Sequence, residues 1–160
     1  MTEPEPLRYL DLINRVTADL PPMPVASPGP PVLTPLARPL ARARVVIVTS
    51  AGVRVSGEPP FERTNDLSFR RIDAGIEPEL LSPSHPTPVR APAEQDVNVV
   101  FPYRRLWELA AAGLVGEPPP YHLSFLGTIK KLTALVTRTA PAMAAAAREA
   151  GADAALLVPL

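Results

Sequence analysis

Proline punctuates this chain more heavily than any other residue constrains it. Of 160 residues 23 are proline, about one in seven, against a usual share of ~5%. Each proline lacks the N–H that a helix interior or an inner strand needs, and its ring fixes φ. Many of the prolines sit in clusters, and clusters mark loops rather than element interiors. Regular structure is therefore sought between them.

Residues 5–20, EPLRYLDLINRVTADL, set Leu7, Leu10, Ile13, Val16 and Leu20 close to helical spacing and predict an amphipathic helix. Asp11 and Arg15, four apart, suit an ion pair on its outer face. Residues 21–36, PPMPVASPGPPVLTPL, admit neither helix nor central strand and predict an extended arm, packed on its own domain through Met23, Val25, Val32 and Leu33. The division expected is 1–35, helix and arm, followed by an α/β domain over 36–160.

Within that domain RVVIVTSAGV (44–53) reads as a strand and turn, its apolar β-branched run suited to a sheet covered on both faces. Residues 57–95 show no clear element, and a stretch this long is often functional. DVNVVFP (96–102) reads as a second strand stopped by Pro102, and YRRLWELAAAGLVG (103–116) as a helix ended by Gly113 or Gly116. The last third predicts helix, a break near Thr139 or Ala140, a second helix with Pro141 in its first turn, and a stop at Gly151. DAALLVPL (153–160) then reads as a buried strand. Strands alternating with helices imply a layered, Rossmann-like, mostly parallel α/β sheet.

Composition narrows the function classes. Apolar residues make up 46% of the chain, enough for a globular core. Sixteen basic and sixteen acidic residues cancel, which argues against a broad surface for nucleic acid or anionic lipid. Local basic groups, Arg38 with Arg42 and Arg44, Arg104 with Arg105, and Lys130 with Lys131, read as solvated faces. There is no cysteine, hence no disulfide, thiolate metal site or cysteine nucleophile within these residues. The acidic start lacks a signal core and no run of about 18 apolar residues occurs, so a cytoplasmic protein without a membrane span is expected.

The residues with chemical potential are few. In the turn TSAGV, Ser50 and Gly52 follow a strand, where backbone N–H groups can cradle a carboxylate or phosphate; an ordinary turn is the alternative. His85, after Ser84 in SPSHPTP, is a candidate proton donor or acceptor, or simply a loop residue. His122, between Tyr121 and Leu123, reads as a hydrogen-bonded structural histidine. Asn98 is either a buried hydrogen-bonding residue or part of a pocket wall. Two histidines without clustered carboxylates make no metal site. No nucleophile elbow or P-loop is present.

Several stretches together resemble the selenoprotein B family of glycine, sarcosine, betaine and D-proline reductases. They are RVVIVTSAGV (44–53), EPPFE (58–62), NDLSFRRI (65–72), SH (84–85), DVNVVFPYRRLWELAAAGLVG (96–116), HLSFLG (122–127) and GADAALLVPL (151–160). In that family a strand like LLVP leads at once into selenocysteine or cysteine, then Pro, another residue and Cys. The resemblance implies a reductive cleavage: a partner subunit's pyruvoyl group holds an amine substrate as a Schiff base, a selenolate attacks carbon, and a neighbouring thiol resolves the product. It implies a small amine or amino-acid substrate, and other reductase subunits or a second copy as partners.

The expectation is of a reading frame cut at an in-frame UGA, with no cofactor in this chain and selenocysteine due immediately after Leu160. Many relatives carry a histidine-rich run where this chain has SHPTPVRAPAEQD. Only Ser84 and His85 match, so any metal or proton relay there is altered and His85 remains as candidate acid or base. Substrate-binding candidates are Ser50, Gly52, Ser84, Asn98 and His122. The alternative is a non-catalytic binding or assembly module using the arm and an exposed sheet edge; a small hydrolase using His85 is the third reading.

Overall fold

Four strands make the main sheet of the computed structural model, in the order β3-β5-β1-β6. The structure describes residues 34–85, 90–130 and 132–160. The helix expected over 5–20 and nearly all of the arm lie outside them. Strand β1 (Val45–Thr49) pairs in parallel with β6 (Ala154–Val158), from Val45 opposite Ala154 to Thr49 opposite Val158. On its other side β1 pairs in parallel with β5 (Tyr121–Phe125) through Val48 with Leu123 and Thr49 with Ser124. Strand β3 (Phe69–Asp73) closes the far edge, antiparallel to β5. A separate short ladder joins β2 (Arg54–Val55) to β4 (Leu81–Ser82). The fold is α/β with a mixed, mostly parallel main sheet.

Alternation along β1 divides the core in two. Ile47 faces a cluster with Ile72, Val100, Phe101, Tyr103 and Leu106. Val46 and Leu123 face Met143 and Ala146 of a helix on the opposite face. Val46, Ile47 and Leu123 are fully buried, and each such side chain is worth about 1.5–3 kcal/mol of transfer free energy. The first layer is built from the segment between β4 and β5. It contains α1 (Arg90–Gln95) and α2 (Tyr103–Ala111). Tyr103 anchors it by donating its hydroxyl hydrogen to the Ile76 carbonyl at 2.7 Å.

The second layer runs through α3 (Leu132–Ala134), a π-helical turn (Leu135–Thr139) and α4 (Ala140–Glu149). The break expected near Thr139 is thus a widened turn instead of an interruption. Pro141 brings no N–H to the preceding turn, and the Ala140 N–H reaches back to the Leu135 carbonyl in the wider π pattern. Gly151 follows α4 with φ 72°, the left-handed stop that its position in the sequence predicts.

Three local expectations change. Residues 57–95, which show no element in the sequence, contain β3 and β4; the charged FRRID run is an edge strand, with Ile72 its buried residue. Residues 96–102 are not a strand: Val97–Val99 forms a 3-10 turn. Asp96 Oδ1 accepts from both the backbone N–H and the side-chain amide of Asn98, at 2.9 and 2.8 Å, and this local cap outcompetes an extended chain. Finally β6 is an edge strand, not a buried one: Leu156 is 43% and Leu157 69% exposed. No helix among the described residues is long and apolar enough to cross a membrane.

Candidate functional site at the strand ends

The carboxyl ends of the parallel strands β1 and β6 meet one loop from each side. In open α/β sheets this is where ligands bind. Ser50 follows β1; its N–H donates to the Val158 carbonyl at 3.1 Å, and its Oγ accepts the Leu160 N–H at 2.7 Å. A hydroxyl that accepts one bond keeps its own hydrogen to donate, so Ser50 can present an O–H to a ligand at the end of β6.

Gly52 makes the turn, with φ 63°. It is buried, and a Cβ there would meet Leu126 Cδ1 at 2.6 Å, so both conformation and space require glycine. The three N–H groups that the sequence offers as an anion cradle are committed within the protein. Ser50 donates to Val158, Gly52 donates to the Phe125 carbonyl at 2.9 Å, and Ala51 donates to Thr49 Oγ1 at 3.2 Å. The polar group this turn offers a ligand is therefore the Ser50 hydroxyl.

Ser84 and His85 are pinned on this turn. The His85 N–H donates to the Ala51 carbonyl at 3.0 Å, and the Ser84 N–H reaches the Ala51 and Gly52 carbonyls at 3.2 and 3.1 Å. His85 Nε2 lies 3.3 Å from Thr128 Oγ1, and its buried Nδ1 has no hydrogen-bond partner among the described residues. Burial lowers the pKa of this half-buried imidazole below its ordinary value, so the neutral ring prevails at pH 7 and can accept a proton.

Gly127 brings the third strand end in. Its N–H donates to the Ser50 carbonyl at 2.8 Å, and a Cβ on it would sit 3.0 Å from Ser50 Cβ. Beside Ser50 a cleft of about 330 Å³ opens between the sheet and the π turn, with Val48, Phe125, Met143, Leu157 and Val158 on its walls. It is apolar apart from the serine. π-helical turns recur next to functional sites.

Ser50, Gly52, Ser84 and His85 thus come together, and Asn98 and His122 lie elsewhere. Asn98 holds the 3-10 turn to the start of α2, its Oδ1 accepting the Arg104 N–H at 3.3 Å. Its bonds to Asp96 lower the pKa of that carboxyl below the usual value. His122 is fully buried in β5, with Nδ1 accepting the Ile47 N–H at 3.1 Å and Phe101 edge-on at 5.8 Å between centroids. Burial pushes its pKa down to about 4.

Gly127 and Thr128 are site residues that the sequence did not single out; Thr49 belongs to the TSAGV turn that it did. Thr49 Oγ1 donates to the Val100 carbonyl at 2.8 Å while accepting from Ala51. It thereby ties the turn to the layer beneath. The HLSFLG segment was the available signal for Gly127. No group of three His, Asp or Glu side chains able to hold a metal occurs among the described residues.

No protein-family profile matches the chain, and no solved structure matches it. It is 30% identical over 128 residues to the D-proline reductase subunit gamma of Acetoanaerobium sticklandii, an alignment covering 80% of this chain and 53% of that protein. The chain spans about half the length of the curated relative it matches. By its sequence, the chain is a distant relative of a D-proline reductase subunit.

Proposed function

We propose that this chain forms the sheet-bearing part of a selenoprotein B-like subunit of a reductase that cleaves a small amine or amino-acid substrate, as in the glycine, betaine, sarcosine and D-proline reductases. The observation that carries the reading is the relationship to the D-proline reductase subunit over four-fifths of the chain. The geometry supports it. A redox residue carried just past β6 would emerge beside the Ser50 hydroxyl, at the mouth of an apolar cleft and on the side of the sheet end where His85 is pinned. In this reading His85 moves the proton, and Ser50 and Ser84 contact substrate around the turn made by Gly52. The redox pair itself is selenocysteine or cysteine with a following Cys, outside these 160 residues. Other reductase subunits are the expected partners, in the cytoplasm.

The decisive experiment is to sequence the whole gene. The reading expects a codon for selenocysteine or cysteine followed by codons for Pro, one residue and Cys. A gene without that motif overturns it. In the full-length protein His85→Gln should lower turnover while leaving the melting temperature close to that of the parent; equal losses in both would make His85 structural.

One observation favours a second reading, a binding or assembly module. The apolar strand β6 stands at the sheet edge with Leu156 and Leu157 exposed, and such edges pair with other chains. Size-exclusion chromatography of the 160-residue chain separates the two: stable self-association without a downstream redox motif selects the module.

A further inference from the structure

His85 and Thr128 meet across 43 positions of sequence, and each is brought there by its own backbone. His85 is held by its N–H, which donates to the Ala51 carbonyl at 3.0 Å. Thr128 is braced on two sides. The preceding Gly127 N–H donates to the Ser50 carbonyl at 2.8 Å, and the Thr128 carbonyl accepts the Asn65 N–H at 2.8 Å. Asn65 completes the clamp by accepting the Lys130 N–H on Oδ1 at 2.8 Å. It does so at φ 58°, a left-handed conformation that asparagine adopts more readily than most residues with a Cβ. These anchors set one side-chain contact, His85 Nε2 at 3.3 Å from Thr128 Oγ1.

We infer that Thr128 is the positioning residue of His85: it accepts the Nε2 hydrogen, fixes the ring in one tautomer and leaves the Nδ1 lone pair bare. Burial lowers the pKa of His85, so the ring is neutral at pH 7 and carries a single hydrogen on one of its two nitrogens. Nδ1 is buried without a hydrogen-bond partner among the described residues. A hydrogen on Nδ1 would be a buried donor with nothing to receive it, and orphaned N–H groups are rarer in native structures than under-satisfied acceptors. A hydrogen on Nε2 has the Thr128 oxygen to receive it, and the threonine keeps its own hydrogen to donate elsewhere. The bond made by one ring nitrogen thus decides what the other can do. With His85 moving the proton, Nδ1 is the atom that takes it. That step rests on the reductase reading; the tautomer does not.

Proton–nitrogen correlation NMR of the 160-residue chain, labelled on the histidine nitrogens and held at a pH where both rings are neutral, tests it. His122 is the internal reference, since its Nδ1 accepts the Ile47 N–H and its hydrogen is therefore on Nε2. The expected result is the same pattern for His85, one protonated Nε2 and one bare Nδ1. Thr128→Val should move the two His85 nitrogens toward averaged shifts while the His122 signals stay in place, and Thr128→Ser should restore the parent pattern. A hydrogen on His85 Nδ1 in the parent overturns the proposal without need of a variant. So does a Thr128→Val chain, shown to be folded by its unchanged His122 signals, in which His85 matches the parent. In the full-length protein Thr128→Val should lower kcat about tenfold at unchanged KM, with recovery in Thr128→Ser. Averaged His85 shifts with unchanged kcat would leave the positioning role standing and overturn the role of His85 in proton transfer.

Discussion

Strands β1 and β6 lie side by side in register, and as sequences they are alike: VVIVT and AALLV, both short and dominated by apolar residues. Their situations are opposite. In β1, Val46, Ile47 and Thr49 are fully buried, with strands on either side and packed layers above and below. In β6 the three central residues are exposed, because neither α2 nor α4 covers that edge. An apolar run reports that a strand is compatible with burial. It does not report how many neighbours the sheet supplies, and here the same composition serves a structural spine and a free edge. The two meet at the Ser50 to Leu160 hydrogen bond, where the rigid strand positions the end of the uncovered one.

The contrast can be tested by substitution, taking the largest effect first. Ile47→Ala should cost about 4 kcal/mol in urea unfolding, since the surrounding β1 core cannot collapse into the space. A loss below about 1 kcal/mol would place β1 in a much looser environment than its full burial implies.

The second test is acid. Burial holds the His122 pKa at about 4 in the folded chain against 6.5 for a free imidazole. Between those values the unfolded chain binds the proton and the folded chain does not. Stability contributed by the neutral ring is therefore intact above pH 6.5 and falls as pH drops toward 4, by about 3 kcal/mol in all. His85, also lowered, adds a contribution of the same sign. His122→Asn keeps an acceptor for the Ile47 N–H and should flatten most of that slope. A parent whose unfolding free energy is level from pH 6.5 to 4 would contradict the buried position of His122.

Smaller effects probe the junction and the edge. Ser50→Ala removes the acceptor of the Leu160 N–H and should cost about 1 kcal/mol, together with faster hydrogen exchange at Leu160. Unchanged exchange there would mean that the strand end is not held by this serine. Leu157→Ser, on the exposed edge, should change stability by less than about 0.5 kcal/mol. If it costs as much as Ile47→Ala, β6 is covered in solution by another chain, and the assembly reading gains. Ordered this way, the four results scale with how completely each residue is enclosed.

Much of the fold was legible locally. The β1 run, the helix beginning at Tyr103, the Gly151 stop and the final strand each follow from residue type and spacing, because propensity, periodicity and a left-handed glycine act within a few residues. The misreadings have equally local causes. DVNVVFP has strand composition, yet Asp96 offers its own backbone a cap, and the side chain won. Strand β5 follows three prolines and contains His and Ser, so nothing in its composition announces a central strand. It is one because β1 and β3 both need a partner there.

The site divides the same way. The sequence alone marked Ser50, Gly52, Ser84 and His85 as chemically capable, since a hydroxyl, a turn glycine and an imidazole have those capacities anywhere. That they converge while Asn98 and His122 do not was decided by tertiary structure. Hydrogen bonds from residues 84 and 85 to the Ala51 and Gly52 carbonyls span more than thirty positions, and His122 is drawn into the sheet by the Ile47 N–H, 75 positions away. Residue chemistry is a local property; which groups share a place, and which of two similar strands is enclosed, depends on long-range pairing that no short window of sequence contains.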